Sequence, residues 1–182
     1  MKNTIQIQDT EFELFLENDQ ICKKIRLMAI QLDLDYESRC PVFIGVLNGS
    51  FIFMADLLKE INTVCEVGFI RVSSYAGTSS TGSVKEIFGL PDDLRNRDVI
   101  LVEDIVDSGT TLEHILQEVR KQNPASLAVC SLLLKPAALK SKIDALEYVG
   151  FEIPNEFVVG YGLDYNGLGR NLKDIYKAKT VR

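Results

Sequence analysis

Arg97 to Thr111 reads "RDVILVEDIVDSGTT". Asp98 to Val102 is a near-continuous apolar run, the pattern of a strand covered on both faces of a parallel sheet. Glu103, Asp104 and Asp107 follow, and then the small residues Ser108, Gly109, Thr110 and Thr111. From Thr111 to Lys121, Leu112, Ile115, Leu116 and Val119 recur at helical spacing. Strand, acidic turn, small-residue loop and helix is thus the expected unit. Thr110 to Glu113 has the T-x-x-E form of a capping box.

Ligands of open parallel sheets bind beyond the carboxyl ends of the strands, which is where Glu103 to Thr111 is expected. Small residues let the backbone turn sharply and aim amides at an anion, and the helix N-terminus adds positive potential. A monophosphate fits. The pattern G-x-x-x-x-G-K-[ST] is absent, which disfavours a nucleoside triphosphatase. Carboxylates repel phosphate, so the acids need a different partner: vicinal hydroxyls, as on a ribose, or Mg²⁺. A ribose 5-phosphate satisfies both halves. The plainer reading has Asp107 and Ser108 capping the helix, with Glu103 and Asp104 solvated. Three acids and a small-residue loop at one strand end favour the ligand.

Outward from this unit the rhythm repeats. Asn18 to Leu34 is expected as an amphipathic helix with Asn18 as N-cap. Val42 to Leu47, "EVGFIRVSSY" and "SLAVCSLLL" read as strands, and "FIFMADLLKEI" as a covered helix. Alternating strands and helices point to an α/β fold, a parallel twisted sheet with helices on both faces. Ala76 to Leu90 is rich in Gly, Ser and Thr, and a loop of that length is a candidate lid. After Lys135 glycines and aromatics dominate. Short strands and loops are expected there, forming a small subdomain over the sheet edge.

The 182 residues suit a single domain, and no internal repeat or linker is evident. A net charge of −6 argues against nucleic-acid binding, which needs a basic footprint. Cys22, Cys40, Cys65 and Cys130 are widely and irregularly spaced, as reduced thiols are in a cytoplasmic protein. There is no signal-peptide pattern at the start, and no apolar run nears the roughly 20 residues of a membrane span.

"VILVEDIVDSGTTL" resembles the phosphoribosyl pyrophosphate motif of the type I phosphoribosyltransferases. "GVLNGSFIFMADLL", "VSSY", "SLLLK" and "VGFEIPNEFVVGYGLDYN", followed by Arg170, are similar in order to one branch, the hypoxanthine-guanine phosphoribosyltransferases. The resemblance implies purine salvage: N9 of hypoxanthine or guanine displaces pyrophosphate from phosphoribosyl pyrophosphate, with Mg²⁺ as cofactor. It implies a core of about residues 18–135. A hood of about 136–170 would join the N-terminal segment, and the assembly would be a homodimer or homotetramer.

Carried over residue by residue, Glu103 and Asp104 would hold the ribose hydroxyls and contribute to the metal. Asp107 would be the proton partner near purine N7. Ser108, Gly109, Thr110 and Thr111 would bind the 5-phosphate. Leu47, Asn48 and Gly49 would form the pyrophosphate loop, where the family has a non-proline cis peptide. Ser74 and Tyr75 would begin the lid. Lys135 would donate to O6, Phe157 would stack on the base, and Val158 would offer backbone contacts. Asp164 would help place Mg²⁺, and Arg170 would meet the pyrophosphate. Many family members carry Lys where this chain has Asn48, and some carry Lys at the position of Thr110, so both loops are less cationic here.

Alternatives stand beside these roles. A non-catalytic sensor of phosphoribosyl pyrophosphate, or a transferase for xanthine or another base, would use the same fold. His114, the only histidine, is expected on a solvated helix face, which removes Ser-His-Asp chemistry. Taken singly, Lys135 reads as a surface lysine, Phe157 as core, Arg170 as a helical partner of Asp174, and Gly77 and Gly82 as loop flexibility.

Overall fold

The structure is a computed structural model that describes residues 4–75 and 84–179. A six-stranded sheet forms its centre, in the order β5-β4-β3-β6-β7-β8. These strands are β3 (Val42–Leu47), β4 (Glu66–Tyr75), β5 (Val84–Phe88), β6 (Asp98–Val106), β7 (Ser126–Leu134) and β8 (Leu146–Glu152). All neighbours pair parallel except β4 and β5. Helices α1 (Asn18–Asp35) and α2 (Phe51–Glu60) lie on one face and α3 (Thr110–Arg120) on the other.

Each helix forms for a local reason and is held by its buried stripe. In α1 that stripe is Ile21, Ile25, Met28, Ala29 and Leu32, packed with Phe53, Met54 and Leu57 of α2 against Phe43, Ile100 and Val102. In α3, Leu112, Ile115, Leu116 and Val119 meet Val42, Ile44, Val99 and Leu101 on the opposite side. Residues 99 and 101 face one way and 100 and 102 the other, as period-two alternation requires.

The expected cap of α1 is displaced by one residue. Glu17 is the N-cap, in a reciprocal capping box with Gln20. Asn18 is instead the first helical residue. Its amide donates to Asp174 Oδ1 at 2.8 Å and its side chain to Lys173 O at 3.0 Å, tying the helix start to the C-terminal strand.

Three further expectations are corrected. The strand expected to end at Val102 runs to Val106, so Glu103 and Asp104 lie inside β6. The stretch Ala76–Leu90 is not wholly loop, because β5 pairs antiparallel with β4 from Val84 to Phe88. Antiparallel return along an edge needs only a short connection, whereas a parallel neighbour needs a crossover. Residues 76–83, which include Gly77 and Gly82, lie outside the described residues. Finally, β8 follows residue 135 yet joins the main sheet parallel to β7, through Ser131↔Val149 and Leu133↔Phe151.

A second, antiparallel sheet has the order β1-β2-β10-β9. It combines the N-terminal β1 (Thr4–Ile7) and β2 (Thr10–Leu16) with β9 (Val158–Val159) and β10 (Ile175–Ala178). Its residues Val158 and Ile175 enter the main core. Phe12, Val159 and Tyr176 build a smaller core on the other side.

Because β3, β6 and β7 are parallel, their carboxyl ends meet at one edge of the sheet. Leu47–Gly49, Asp107–Thr111 and Lys135 therefore emerge together.

Candidate active site

In-register pairing of β6 with β7, up to Val106↔Leu134, sets the residues that follow side by side. Lys135 Nζ lies 2.7 Å from Asp107 Oδ2. The Lys135 side chain is only 8% exposed and that of Asp107 52%. Lys135 is thus not a surface lysine but a buried ammonium with a half-exposed carboxylate partner, at the mouth of the site. No local pattern in the two strands states that they are neighbours, so the pair follows from their register alone.

The loop after Asp107 turns at Gly109, which has φ 78° and is the N-cap of α3. A side chain there would adopt a conformation that L-residues avoid, and its Cβ would sit 2.8 Å from Ile143 Cδ1. This glycine cap overrides the T-x-x-E signal: Thr110 is already helical and the expected box does not form. The first turn of a helix leaves amides without intrahelical carbonyl partners. These border a cavity of about 120 Å³ lined by Glu103, Ile105, Val106, Asp107, Ser108, Gly109, Thr111 and Leu112. A larger groove, about 980 Å³, lies between Thr4–Gln8 and Leu168–Leu172. No group of the acidic motif lines it, so chemistry rather than volume locates the site.

Successive strand residues point to opposite faces. Glu103 borders the small-loop cavity, while Asp104 turns to the α2 side. There it meets Gly49, where an added Cβ would lie 1.7 Å from Asp104 Oδ2. The Leu47–Asn48 peptide is cis, Asn48 is exposed, and Ser50 Oγ donates to Val46 O at 2.7 Å behind the turn.

Both acids are held above the ordinary carboxylate range. Burial does most of it for Glu103, and the neighbouring charge of Asp104 adds to it. Burial pushes Asp104 up to about 6, against the pull of the Ile105 amide, which donates at 2.9 Å, and of the Arg170 charge. A carboxyl that binds its proton more tightly folded than unfolded loses stability as pH rises through the interval between the two values. For Asp104 that interval runs from 3.8 to about 6. The corresponding penalty on the ionised form is on the order of 3 kcal/mol. Asp104→Asn should therefore raise the thermal midpoint of the ligand-free protein at pH 7. It should also flatten the loss of stability between pH 5 and pH 7. Thermal melts of both proteins at these two pH values check the sign.

The fourth segment is the loop between β9 and β10. Asn166 and Gly167, at φ 51° and 81°, turn a small hairpin closed by Tyr165 and Leu168. Asp164 Oδ2 accepts from Gly167 N at 2.7 Å and Oδ1 from Arg170 Nη2 at 2.6 Å. Arg170 Nη1 donates to Gly162 O at 2.6 Å. The helical Arg170–Asp174 pair is thus not formed, because this segment is a turn and Asp174 is buried against Asn18.

Phe157 is 49% exposed. Its ring is set by Phe12, 6.3 Å away and tilted, and by Tyr165, 5.7 Å away and edge-on. The sequence did not single out either support. Ala178 N donates to Phe157 O at 2.8 Å, while Val158 pairs with Lys177. By antiparallel alternation the backbone groups of Val158 then face away from β10, at the edge of the small sheet. His114 is half-buried on α3, less solvated than expected. Ser74 and Tyr75 end β4, and their side chains lie outside the described residues.

A family model described as a phosphoribosyl transferase domain matches residues 13–166. The chain is 42% identical over 161 residues to the hypoxanthine-guanine phosphoribosyltransferase of Bacillus subtilis (strain 168), covering 88% of this chain and 89% of that one. It is 44% identical over 173 residues to the bifunctional protein TilS/HprT of Listeria monocytogenes serotype 4b (strain F2365). That match covers 94% of this chain but only 26% of the Listeria protein. A crystal structure of a hypoxanthine phosphoribosyltransferase from Staphylococcus aureus has a TM-score of 0.82 and 41% identity, covering 92% of this chain and 91% of that one.

Proposed function

The chain belongs to the phosphoribosyl transferase family, and we propose that it joins hypoxanthine or guanine to the ribose 5-phosphate of phosphoribosyl pyrophosphate, releasing pyrophosphate. The observation that carries this reading is the Lys135–Asp107 pair at 2.7 Å, beside the small-residue loop. A 6-oxopurine presents an acceptor at O6 and, next to it, the N7 position. Lys135 donates to the first and Asp107 takes the proton from the second as N9 bonds to C1 of the ribose. Phe157 stacks on the ring, and the backbone of Val158 meets its edge. Ser108, Gly109, Thr110 and Thr111 take the 5-phosphate. Asp104 and Glu103 accept from the ribose hydroxyls. Leu47, Asn48, Gly49 and Arg170 take the leaving pyrophosphate, and Ser74 and Tyr75 begin a closing lid.

The donor set also suits Mg²⁺. Glu103 and Asp104 would offer hard oxygen ligands, and the charge of Asp104 beside Glu103 would be relieved by a cation. Among the described residues no three His, Cys, Asp or Glu groups converge into a metal cage. Mg²⁺ commonly binds through one or two carboxylates, the substrate's phosphates and water. Asp164 would complete such a set, and the ion would supply charge neutralisation of the pyrophosphate. EDTA should abolish activity, with Mg²⁺ restoring it. Unchanged kinetics in a metal-free assay would remove the ion from the scheme.

The test of the function itself is a panel of hypoxanthine, guanine, xanthine and adenine, each with phosphoribosyl pyrophosphate and Mg²⁺, followed by pyrophosphate release. Release with hypoxanthine or guanine is expected; release with neither refutes the assignment. No helix among the described residues is long and apolar enough to cross a membrane, and the four cysteines are free. The free thiols are those of a reducing compartment, and we assign a cytoplasmic setting and a homodimer or homotetramer as the assembly.

A further inference from the structure

We propose that Tyr161 is a positioning residue: by bonding to Asp56 it holds the loop Leu47–Gly49 and the loop Asp164–Arg170 in one fixed arrangement. The proposal rests on the reading that these two loops form the pyrophosphate end of the site.

Tyr161 lies between Gly160 and Gly162, at φ 103° and 101°, and itself has φ 51°. A bulky residue in this left-handed region is uncommon and persists where the surroundings over-determine it. They do so here. The side chain is 1% exposed, within the main core, and its amide donates to Leu172 O at 2.8 Å. The hydroxyl donates to Asp56 Oδ2 at 2.6 Å. Burial pushes the phenol up, so it stays a donor facing a carboxylate. Such a charge-assisted bond is stronger than one between neutral groups.

Asp56 belongs to α2, the helix that starts immediately after the Leu47–Gly49 turn. Its other oxygen pairs with Lys59 Nζ at 2.9 Å, which orients the carboxylate. On the opposite side of Tyr161, Gly162 comes so near the turn that a Cβ would lie 2.0 Å from Gly49 O. The carbonyl of Gly162 also accepts from Arg170. Tyr161 and its neighbour Gly162 thus connect α2, the cis turn and the Arg170 guanidinium. Packing alone does not require the hydroxyl, since Phe would fill the same core position while Asp56 keeps Lys59 and solvent as partners.

Tyr161→Phe removes that bond and little else. A small displacement of binding groups at a reacting centre lowers performance by up to about a hundredfold, and we expect roughly a tenfold rise in the KM for phosphoribosyl pyrophosphate. The KM for pyrophosphate in the reverse reaction should rise alike, while those for hypoxanthine and IMP hold. Asp56→Asn keeps an acceptor and should show a smaller rise than Asp56→Ala. An unchanged KM for phosphoribosyl pyrophosphate in Tyr161→Phe, or equal rises for base and phosphoribosyl pyrophosphate, overturns the proposal. So does a lowered melting temperature without any KM change. Arg170→Gln in the same assay separates the two levels. If it raises that KM and Tyr161→Phe does not, only the role of Tyr161 fails. If neither does, the pyrophosphate assignment of the loops fails with it.

Discussion

Replacing Asp107 by Asn should lower kcat by about 10²–10⁴-fold, the usual contribution of a positioned acid or base. The substitution keeps the shape of the side chain and removes its proton affinity. It also withdraws the countercharge from Lys135, whose side chain is 8% exposed. A buried ammonium left with a neutral amide loses roughly 1–3 kcal/mol. Stability should therefore fall as well, so kcat has to be measured well below the new melting temperature. A rate loss that persists at low temperature belongs to the chemistry, and one that vanishes there belongs to folding. Near-wild-type turnover under those conditions would remove Asp107 from the reaction.

Lys135→Met tests the choice of base. Lysine is a donor only, so it pairs with O6 of hypoxanthine or guanine and not with the amino group of adenine. A hydrogen bond from a charged group is worth roughly 1.5–3 kcal/mol, or about ten- to a hundred-and-fifty-fold in kcat/KM. Methionine of similar length keeps the packing. The use of 6-oxopurines should fall by that factor and the preference over adenine should narrow. Phe157→Ala is the control, because stacking of roughly 1–3 kcal/mol acts on any base. It should weaken all bases about equally. An unchanged oxopurine-to-adenine ratio in Lys135→Met would show that another group reads position 6.

Both predictions depend on a contact between residues 28 apart in the chain. Local pattern placed Asp107 at a strand end and Lys135 at another. It could not say that the two strands are neighbours in register, which follows from sheet pairing. What the chain itself determined is local. Apolar blocks of five to ten residues specify strands because a strand covered on both faces needs no polar side. The three- and four-residue spacing in α1 and α3 specifies helices for the corresponding reason. The acidic run and the small residues after it are contiguous, so their chemistry could be read directly.

Tertiary structure decided the rest. Gly109 caps α3 because Leu139 and Ile143 pack close beneath the turn, and this overrode the capping pattern at Thr110. Asn18 gave up its expected cap to Glu17 and bonded to Asp174, 156 positions away. Strand β8 left the expected hood for the main sheet, where β7 offered an unpaired parallel edge. Strands from the two ends of the chain became one small sheet, which sets the backbone of Val158 and, through Phe12 together with Tyr165 of the β9–β10 loop, orients Phe157. Burial of Glu103 and Asp104 raised carboxyls that sequence alone would leave at ordinary values. Periodicity is carried by neighbouring residues, whereas register, desolvation and the meeting of distant loops are properties of the packed molecule.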